Sequence, residues 1–310
     1  VERMKEKLLI TGGQGFIARN LAEYLRDRYT IFAPSREELN LLGQEEVFDY
    51  VDRNKVSLIV HCANVGGGRD MLDMKGVTYQ NLTMFFNLTR TFPKVRKMIH
   101  FGSGAEYDVR HYTSKMKENY LGEHIPVDEY GFSKYICSKY ILASQDPIVC
   151  LRLYGVFGKY EKYHTKFISN AIVKNLLSLP ITVKQNVYFD YLYVNDLVRI
   201  VEYVLTHDMQ YREYNVTPSK PIDLTSLAKA VNSIGGRQSE IHVLEPGLGV
   251  EYSGNNRRLS AELKNFSFTP IEQGVRELYD WYKMNVGIID KKLLEEGDSY
   301  ITYNRVLKHE

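Results

Sequence analysis

A tyrosine and a lysine separated by three residues, Tyr130 and Lys134 in the segment YGFSK, could carry out acid–base chemistry. On a helix, positions i and i+4 share one face, so the lysine ammonium would lie beneath the tyrosine hydroxyl. A phenol has an ordinary pKa of about 10, and lowering that pKa by about three units takes about 4 kcal/mol. One cation about 4 Å away, at an effective dielectric of about 20, supplies about that free energy. The spacing therefore predicts a phenol that can exchange a proton near neutral pH.

The same spacing recurs at Tyr135 and Lys139, so it is not specific by itself. Two neighbouring features favour the first pair. A serine, Ser103, stands just past a predicted strand in the upstream segment FGSGAE, and a glycine-rich turn lies near the N-terminus. We therefore take Ser103, Tyr130 and Lys134 as the candidate catalytic set.

The glycine-rich turn, TGGQGFIA at residues 11–18, follows a short apolar run and precedes a stretch with helical periodicity. Strand, tight turn and helix in this order are the context of a dinucleotide-binding site. Gly12 and Gly15 let a pyrophosphate approach the backbone, and the helix that begins near Phe16 and Ile17 offers free N–H groups to the anion. These four residues are predicted to bind a cofactor.

The second predicted strand, residues 30–34, ends without the acidic residue that bonds the ribose 2′-hydroxyl in NAD-selective sites. The nearby Arg36 suits a 2′-phosphate instead. In the alternative interpretation, Ser35 and Glu38 form a capping box and Arg36 is only solvated, which is compatible with anion binding. The sequence favours NADP(H), with NAD possible.

Residues 56–63 form an almost continuous apolar run, as a central strand of a parallel sheet should. This strand ends at Ala63 and Asn64, where ligands bind in doubly wound sheets, so both are predicted to contact the cofactor. The alternation of strands and helices predicts an α/β fold with a doubly wound parallel sheet of the Rossmann type. We expect a dinucleotide-binding domain at residues 1–158 and a smaller, mixed substrate lobe at residues 159–310, with some segments returning to the sheet.

Composition excludes several classes of function. The net charge of +2 gives no reason to expect nucleic acid or a membrane surface as a partner. The cysteines lack CxxC spacing and are expected to be buried in a reducing compartment, and the histidines lack metal-ligand spacing, so no metal is expected. No run approaches the about 18 apolar residues of a membrane helix. We expect a cytoplasmic globular protein.

The segments TGGQGFIA, FGSGAEYD, YGFSK and RLYGVFG, in this order, resemble the extended short-chain dehydrogenase/reductase family, whose members (NAD-dependent epimerases and dehydratases) act on nucleotide-sugars. SREELNLL, ANVGG and YQNLTMFFNL are similar to its GDP-fucose synthase branch, which uses NADPH. The resemblance implies Ser103 and Tyr130 near the substrate carbonyl, Lys134 on the nicotinamide ribose and Arg36 at the 2′-phosphate. It also implies a proton from the tyrosine and a hydride from the nicotinamide. We expect a homodimer.

Departures from the family patterns narrow the expected reaction. Ala105 and Lys166 stand where the branch has the Cys and His that epimerise the sugar, and an alanine cannot move protons. Gly104 and Ala105 stand where 4,6-dehydratases have Asp-Glu, so loss of water is not expected, although Glu106 lies one residue away. The expected function is NADPH-dependent reduction of a nucleotide-activated 4-keto-6-deoxyhexose, dTDP- or GDP-linked, for deoxysugar or surface polysaccharide synthesis. The alternatives are an NAD-dependent UDP-sugar 4-epimerase and a non-catalytic cofactor-sensing protein.

Several residues of the helices and of the second half have open roles. Asn81 is either a proton relay or a satisfied core amide. The basic segment at residues 159–166 either meets a sugar diphosphate, with Lys166 as a substrate residue, or forms a solvated face. Phe189 stands where the family commonly has Arg, so one phosphate contact is expected to be missing. Arg258, in the segment NRR, is the preferred diphosphate ligand because its fork suits phosphate oxygens.

Overall fold

The computed structural model describes residues 5–71 and 74–302. The strands of this part of the chain are β1 (Lys7–Thr11), β2 (Thr30–Phe32), β3 (Leu58–His61), β4 (Lys97–Ser103), β5 (Ile148–Leu153), β6 (Gly155–Phe157), β7 (Ile181–Asn186), β8 (Tyr188–Phe189), β9 (Tyr191–Tyr193), β10 (Glu213–Val216), β11 (Ile222–Asp223) and β12 (Ile241–Leu248). The α-helices are α1 (Phe16–Leu25), α2 (Gln44–Asn54), α3 (Val77–Thr89), α4 (Glu129–Ala143), α5 (Phe167–Leu176), α6 (Val194–Thr206), α7 (Leu224–Gly235), α8 (Arg257–Glu262), α9 (Ile271–Met284) and α10 (Lys291–Thr302).

Six strands form one parallel sheet in the order β2-β1-β3-β4-β5-β10. The order reverses direction between β1 and β3, and such a switch point opens a crevice at the carboxyl ends of the strands. Every residue of β3, β4 and β5 is buried, which explains the almost continuous apolar run at residues 56–63 that contains β3. The predicted doubly wound Rossmann-type sheet is confirmed.

Alternate residues of each strand serve the two faces of the sheet, because side chains along a strand alternate in direction. Leu8 and Ile10 of β1 pack with the helices α1 and α6 on one face. Leu9, between them, packs with Val47 of α2 and Phe85 of α3 on the other face, where α4 also lies. Helices thus cover both faces of the sheet, and the carboxyl ends of the parallel strands β1, β3 and β4 meet at one edge of it.

The second half of the chain builds another apolar core around α5, α7 and α9, with Ile172, Leu227 and Leu278 among its fully buried residues. Three small two-stranded sheets, β7 with β12, β8 with β11 and β6 with β9, surround this core. Three segments return to the large sheet: α6 packs on α1, β10 forms an edge strand and α8 packs on β10. The domain boundary at residue 158 stays a prediction.

The three cysteines are unpaired. Cys137 and Cys150 are buried, and Cys62 is partly exposed. Within residues 5–71 and 74–302 there is no group of three or more His, Cys, Asp or Glu side chains that could hold a metal ion. In the same part of the chain, every helix is too short or too polar to cross a membrane.

Candidate active site

The glycine-rich turn after β1 needs its glycines because three strand ends converge on it. Gly12 has a φ of 66°, and a Cβ there would lie 3.0 Å from Cα of Ala63. A Cβ at Gly13 would lie 2.1 Å from the carbonyl oxygen of Ala33. Only glycine can therefore occupy these two positions without moving β2 or β3.

The turn leads directly into α1, and no side chain caps the N-terminus of this helix. The N-cap is Gly15, which offers no side-chain hydrogen bond, and the first turn, which starts with Phe16 and Ile17, holds no acidic residue. The first N–H groups of α1 are therefore free to bind an anion, and the positive end of the helix dipole favours one. A pyrophosphate fits this glycine cradle.

A cavity of about 200 Å³ lies beside the turn, and Gly12, Arg36, Ala63 and Asn64, all predicted cofactor residues, line it. Apolar side chains that suit the flat face of an adenine ring also line it; they are Leu39, Leu41, Leu42, Val65 and Met84. The remaining lining residues are Thr11, Pro34, Ser35, Asn40 and Gln80. The residues present therefore fit a dinucleotide.

The structure is compatible with both interpretations of this segment, a capping box formed by Ser35 and Glu38 and a 2′-phosphate contact by Arg36. The capping box forms, because the Ser35 N–H donates to the Glu38 carboxylate at 2.7 Å and the Glu38 N–H donates to the Ser35 hydroxyl at 3.3 Å. Arg36 itself is exposed at the rim of the cavity, and among the described residues no hydrogen bond or ion pair occupies its guanidinium. A 2′-phosphate at this rim would meet a free cation.

The candidate catalytic pair, Tyr130 and Lys134, lies on α4, which is capped by Asp128 through a 2.9 Å hydrogen bond from the Gly131 N–H. Tyr130, in the first turn, lines a second and larger cavity of about 830 Å³. Lys134, one turn later, is buried, and its ammonium donates to the carbonyl oxygen of Phe101 at 2.8 Å. The ammonium nitrogen lies 5.9 Å from the centre of the Tyr130 ring.

The other tyrosine–lysine pair does not reach this cavity. Tyr135 is buried and is not among the residues that line it, and Lys139 is exposed. Conversely, Gly67 packs against the Tyr130 ring so closely that a Cβ there would come within 2.8 Å of the phenol carbon Cζ. The glycines of the loop after β3 therefore leave room for Tyr130.

Ser103, the last residue of β4, also lines the large cavity, and its hydroxyl accepts a hydrogen bond from the Ala105 N–H at 3.2 Å. Glu106 completes a capping box by accepting from the Ser103 N–H at 2.8 Å. This reciprocal pair fixes the backbone that presents the serine.

Glu106 is fully buried and does not line the cavity, because its carboxylate faces the protein interior. One oxygen accepts from Ser138 of α4 at 2.6 Å and from the buried Arg152 at 2.7 Å. Arg152 in turn bonds Tyr107 and Glu213. Glu106 therefore ties the Ser103 turn to α4 and is held away from substrate, which disfavours a dehydratase role.

The large cavity contains some of the predicted substrate residues. Ala105 and Lys166, which stand at the positions of the branch's epimerising residues, both line it, as does Phe189. Arg258 does not line this cavity; its guanidinium pairs with Glu213 at 3.1 Å. The predicted diphosphate role of Arg258 therefore stays a prediction without support from this geometry.

Hydrogen bonds occupy both the oxygen and the nitrogen of the Asn81 side-chain amide. Its side-chain oxygen accepts from the Val65 N–H at 2.8 Å, and its amide nitrogen donates to the Val65 carbonyl and to the Ser133 hydroxyl. The bonds join the loop after β3 to α4 close to Tyr130. This geometry favours the interpretation of Asn81 as a satisfied core amide.

Glu161 and Tyr252 are among the cavity residues that could not be identified from the sequence. Glu161 lies in the basic segment, is buried and accepts hydrogen bonds from the Ser169 hydroxyl and the Gly158 N–H. Burial raises its pKa from 4.5 to about 7 although Lys166 acts against the shift. Tyr252, in a loop with no motif, places its phenol beside Ser103. Only the abundance of tyrosine in the chain hinted at such a residue.

Comparison with known proteins identifies the family of the chain. Residues 8–217 match the NAD dependent epimerase/dehydratase family. GDP-L-colitose synthase of Yersinia pseudotuberculosis is 24% identical over 256 residues, which cover 74% of this chain and 82% of that protein. The chain belongs to the NAD dependent epimerase/dehydratase family.

Solved structures show the same fold. WbmG from Bordetella bronchiseptica, solved with NAD, superposes with a TM-score of 0.78 at 19% identity, covering 91% of this chain and 96% of that one. GDP-mannoheptose C4 reductase from Campylobacter jejuni, solved with NADP, gives a TM-score of 0.77 at 18% identity, covering 91% and 100%. The fold therefore accommodates either nicotinamide cofactor in related chains.

Proposed function

We propose that the protein is an NADPH-dependent reductase of a nucleotide-activated 4-keto-6-deoxyhexose. The observation that carries the proposal is the convergence of Ser103 and Tyr130 on one cavity, with the Lys134 ammonium held beneath the phenol by Phe101. A family in which relatives act on nucleotide-sugars, GDP-L-colitose synthase among them, supports the substrate class.

A bound reduced nicotinamide would supply the hydride. Tyr130 donates its proton to the carbonyl oxygen as negative charge develops there. The Lys134 ammonium favours the phenolate that remains, because opposite charges attract strongly where water is excluded. The Ser103 hydroxyl donates a hydrogen bond to the same carbonyl oxygen, which lowers the barrier by stabilising the developing charge.

The proposed preference for NADPH rests on Arg36. A guanidinium at the rim of the adenosine-sized cavity pairs with a 2′-phosphate through charge-assisted hydrogen bonds. The strand before it contributes no carboxylate that would repel that phosphate or bond a free 2′-hydroxyl. NADH would therefore bind more weakly.

The residue at position 105 favours reduction over the epimerisation expected of the GDP-fucose synthase branch. Ala105 stands at the wall of the cavity and has no group that exchanges protons. Lys166 lines the same cavity and is exposed, so its cation can meet a phosphate or a hydroxyl of the substrate. Aromatic side chains also line the cavity and can pack on a sugar or a base; they are Tyr154, Phe167, Phe189, Tyr191 and Tyr252.

The test is NADPH oxidation by the purified protein against a panel of dTDP- and GDP-linked 4-keto-6-deoxysugars. We expect turnover with at least one of them, and removal of all nucleotide from the protein on desalting. Tightly retained NAD with interconversion of UDP-sugars would refute the proposal in favour of a 4-epimerase. No turnover and no interconversion, with cofactor still bound, would favour the non-catalytic protein.

A further inference from the structure

Tyr252 brings a second phenol to the catalytic serine from a distant part of the chain. It lines the large cavity together with Ser103 and Tyr130. A Cβ built on Gly104, the residue after Ser103, would lie 2.6 Å from the Tyr252 hydroxyl oxygen. The hydroxyl therefore lies directly over the turn that presents Ser103, and Gly104 is the residue that leaves it room.

The position of this phenol is fixed on all sides. The Tyr252 backbone donates to the Tyr188 carbonyl at 2.9 Å and accepts from the Asp190 N–H at 3.0 Å. Its ring packs on Phe189 and Tyr154, with centroids 4.7 Å and 5.1 Å away. These backbone hydrogen bonds and ring contacts hold the Tyr252 side chain in one orientation.

The phenol keeps its proton and can serve as a donor. Burial raises the pKa of Tyr252 well above its ordinary value, and the nearby hydroxyls of Tyr112 and Ser103 act against that rise without cancelling it. The Ser103 hydroxyl oxygen already accepts one hydrogen bond, from the Ala105 N–H. A hydroxyl oxygen has two lone pairs and one proton, so one acceptor position remains.

We propose that Tyr252 is a positioning residue that fills this second acceptor position of Ser103. With both lone pairs occupied by the Ala105 N–H and the Tyr252 hydroxyl, the single proton of Ser103 is left to point toward the substrate carbonyl oxygen. The inference rests on the proposed ketoreduction, in which Ser103 donates to that oxygen. It also links the loop that carries Tyr252, in the second half of the chain, to the end of β4.

The test uses Tyr252→Phe, which keeps the ring packing and removes only the hydroxyl. Tyr279→Phe is the matched control, because it removes a buried tyrosine hydroxyl, bonded to Asn175 at 2.9 Å, outside the cavity. We expect kcat to fall about tenfold in Tyr252→Phe, the loss of about one well-placed hydrogen bond, with the KM for NADPH unchanged. In a Ser103→Ala background the same change should have no further effect, because coupled residues are not additive.

Equal losses from Tyr252→Phe in the wild-type and Ser103→Ala backgrounds would overturn the inference, as would a loss no larger than that of Tyr279→Phe. A crystal structure of each protein gives a readout that needs no turnover. We expect one Ser103 rotamer in the wild type and several in Tyr252→Phe; an unchanged Ser103 would refute the positioning role. Absence of reductase activity in the wild type would refute the proposed function alone, because the rotamer still tests Tyr252.

Discussion

The Lys134 ammonium lies 5.9 Å from the centre of the Tyr130 ring and is anchored to the Phe101 carbonyl oxygen at 2.8 Å. Phe101 belongs to β4, two residues before Ser103, so one strand holds the lysine and presents the serine. The relative placement of the three candidate catalytic side chains is therefore set by the contact between α4 and β4. Glu106 reinforces that contact through Ser138 and Arg152.

The role of Arg36 predicts a change in cofactor selectivity. Arg36→Ala should weaken NADPH binding by about tenfold to a hundredfold, the range expected for lost charge-assisted hydrogen bonds. NADH binding should change little, because NADH has no 2′-phosphate. Dissociation constants for both nucleotides, measured by calorimetry, check this, with Arg53→Ala on the exposed side of α2 as the control. Equal weakening of NADPH and NADH would contradict a 2′-phosphate contact.

The buried pair of Glu106 and Arg152 predicts a large effect on stability. Glu106→Ala removes one partner from a guanidinium that is fully buried, and should lower the free energy of unfolding by about 3–5 kcal/mol. Glu6→Ala is the control, because Glu6 pairs with Arg96 at the surface and should cost no more than about 1 kcal/mol. Urea unfolding measures both. Similar losses in the two variants would mean that the network contributes no more than a surface pair.

The raised pKa of Glu161 predicts a pH dependence of stability. Between its unfolded pKa of 4.5 and its folded pKa of about 7, the folded protein holds a proton that the unfolded chain has lost. The free energy of unfolding therefore falls as the pH rises through this window, by about 3 kcal/mol for a shift of this size. Below the window the two states bind the proton equally, and no such effect remains.

Glu161→Gln should remove this contribution, because a neutral amide can still accept the hydrogen bonds from Ser169 and Gly158. The variant should match the wild type near about pH 4 and exceed its stability near about pH 8. Urea unfolding over this range is the measurement. If both proteins lost stability in parallel as the pH rose, Glu161 would not be the titrating group.

The glycine-rich turn and the tyrosine–lysine pair could be predicted because residues close together along the chain define them. Gly12 and Gly15 mark a turn by their lack of side chains, and the i to i+4 spacing places Tyr130 and Lys134 on one helix face. The apolar strands of the large sheet follow in the same way. Residues whose role depends only on neighbours along the chain, or on one edge of a parallel sheet, can be located before a structure is known.

The remaining features depend on contacts between distant segments. Tyr252 reaches Ser103 across about half of the chain, and no local pattern marks the loop that carries it. Arg258 has a motif that favours a phosphate ligand, but Glu213 lies beside it in space and binds its guanidinium. The small sheets of the second half, such as β7 with β12, likewise pair segments far apart in sequence.

The proposed catalytic role of Tyr130 is tested most directly by the rate of NADPH oxidation in Tyr130→Phe and Tyr135→Phe. The substrate is a 4-keto nucleotide-sugar that the wild type reduces. Loss of a general acid typically costs at least about two orders of magnitude, so Tyr130→Phe should lose at least that much in kcat while Tyr135→Phe stays close to the wild type. Retained activity in Tyr130→Phe, together with its loss in Tyr135→Phe, would contradict the assignment.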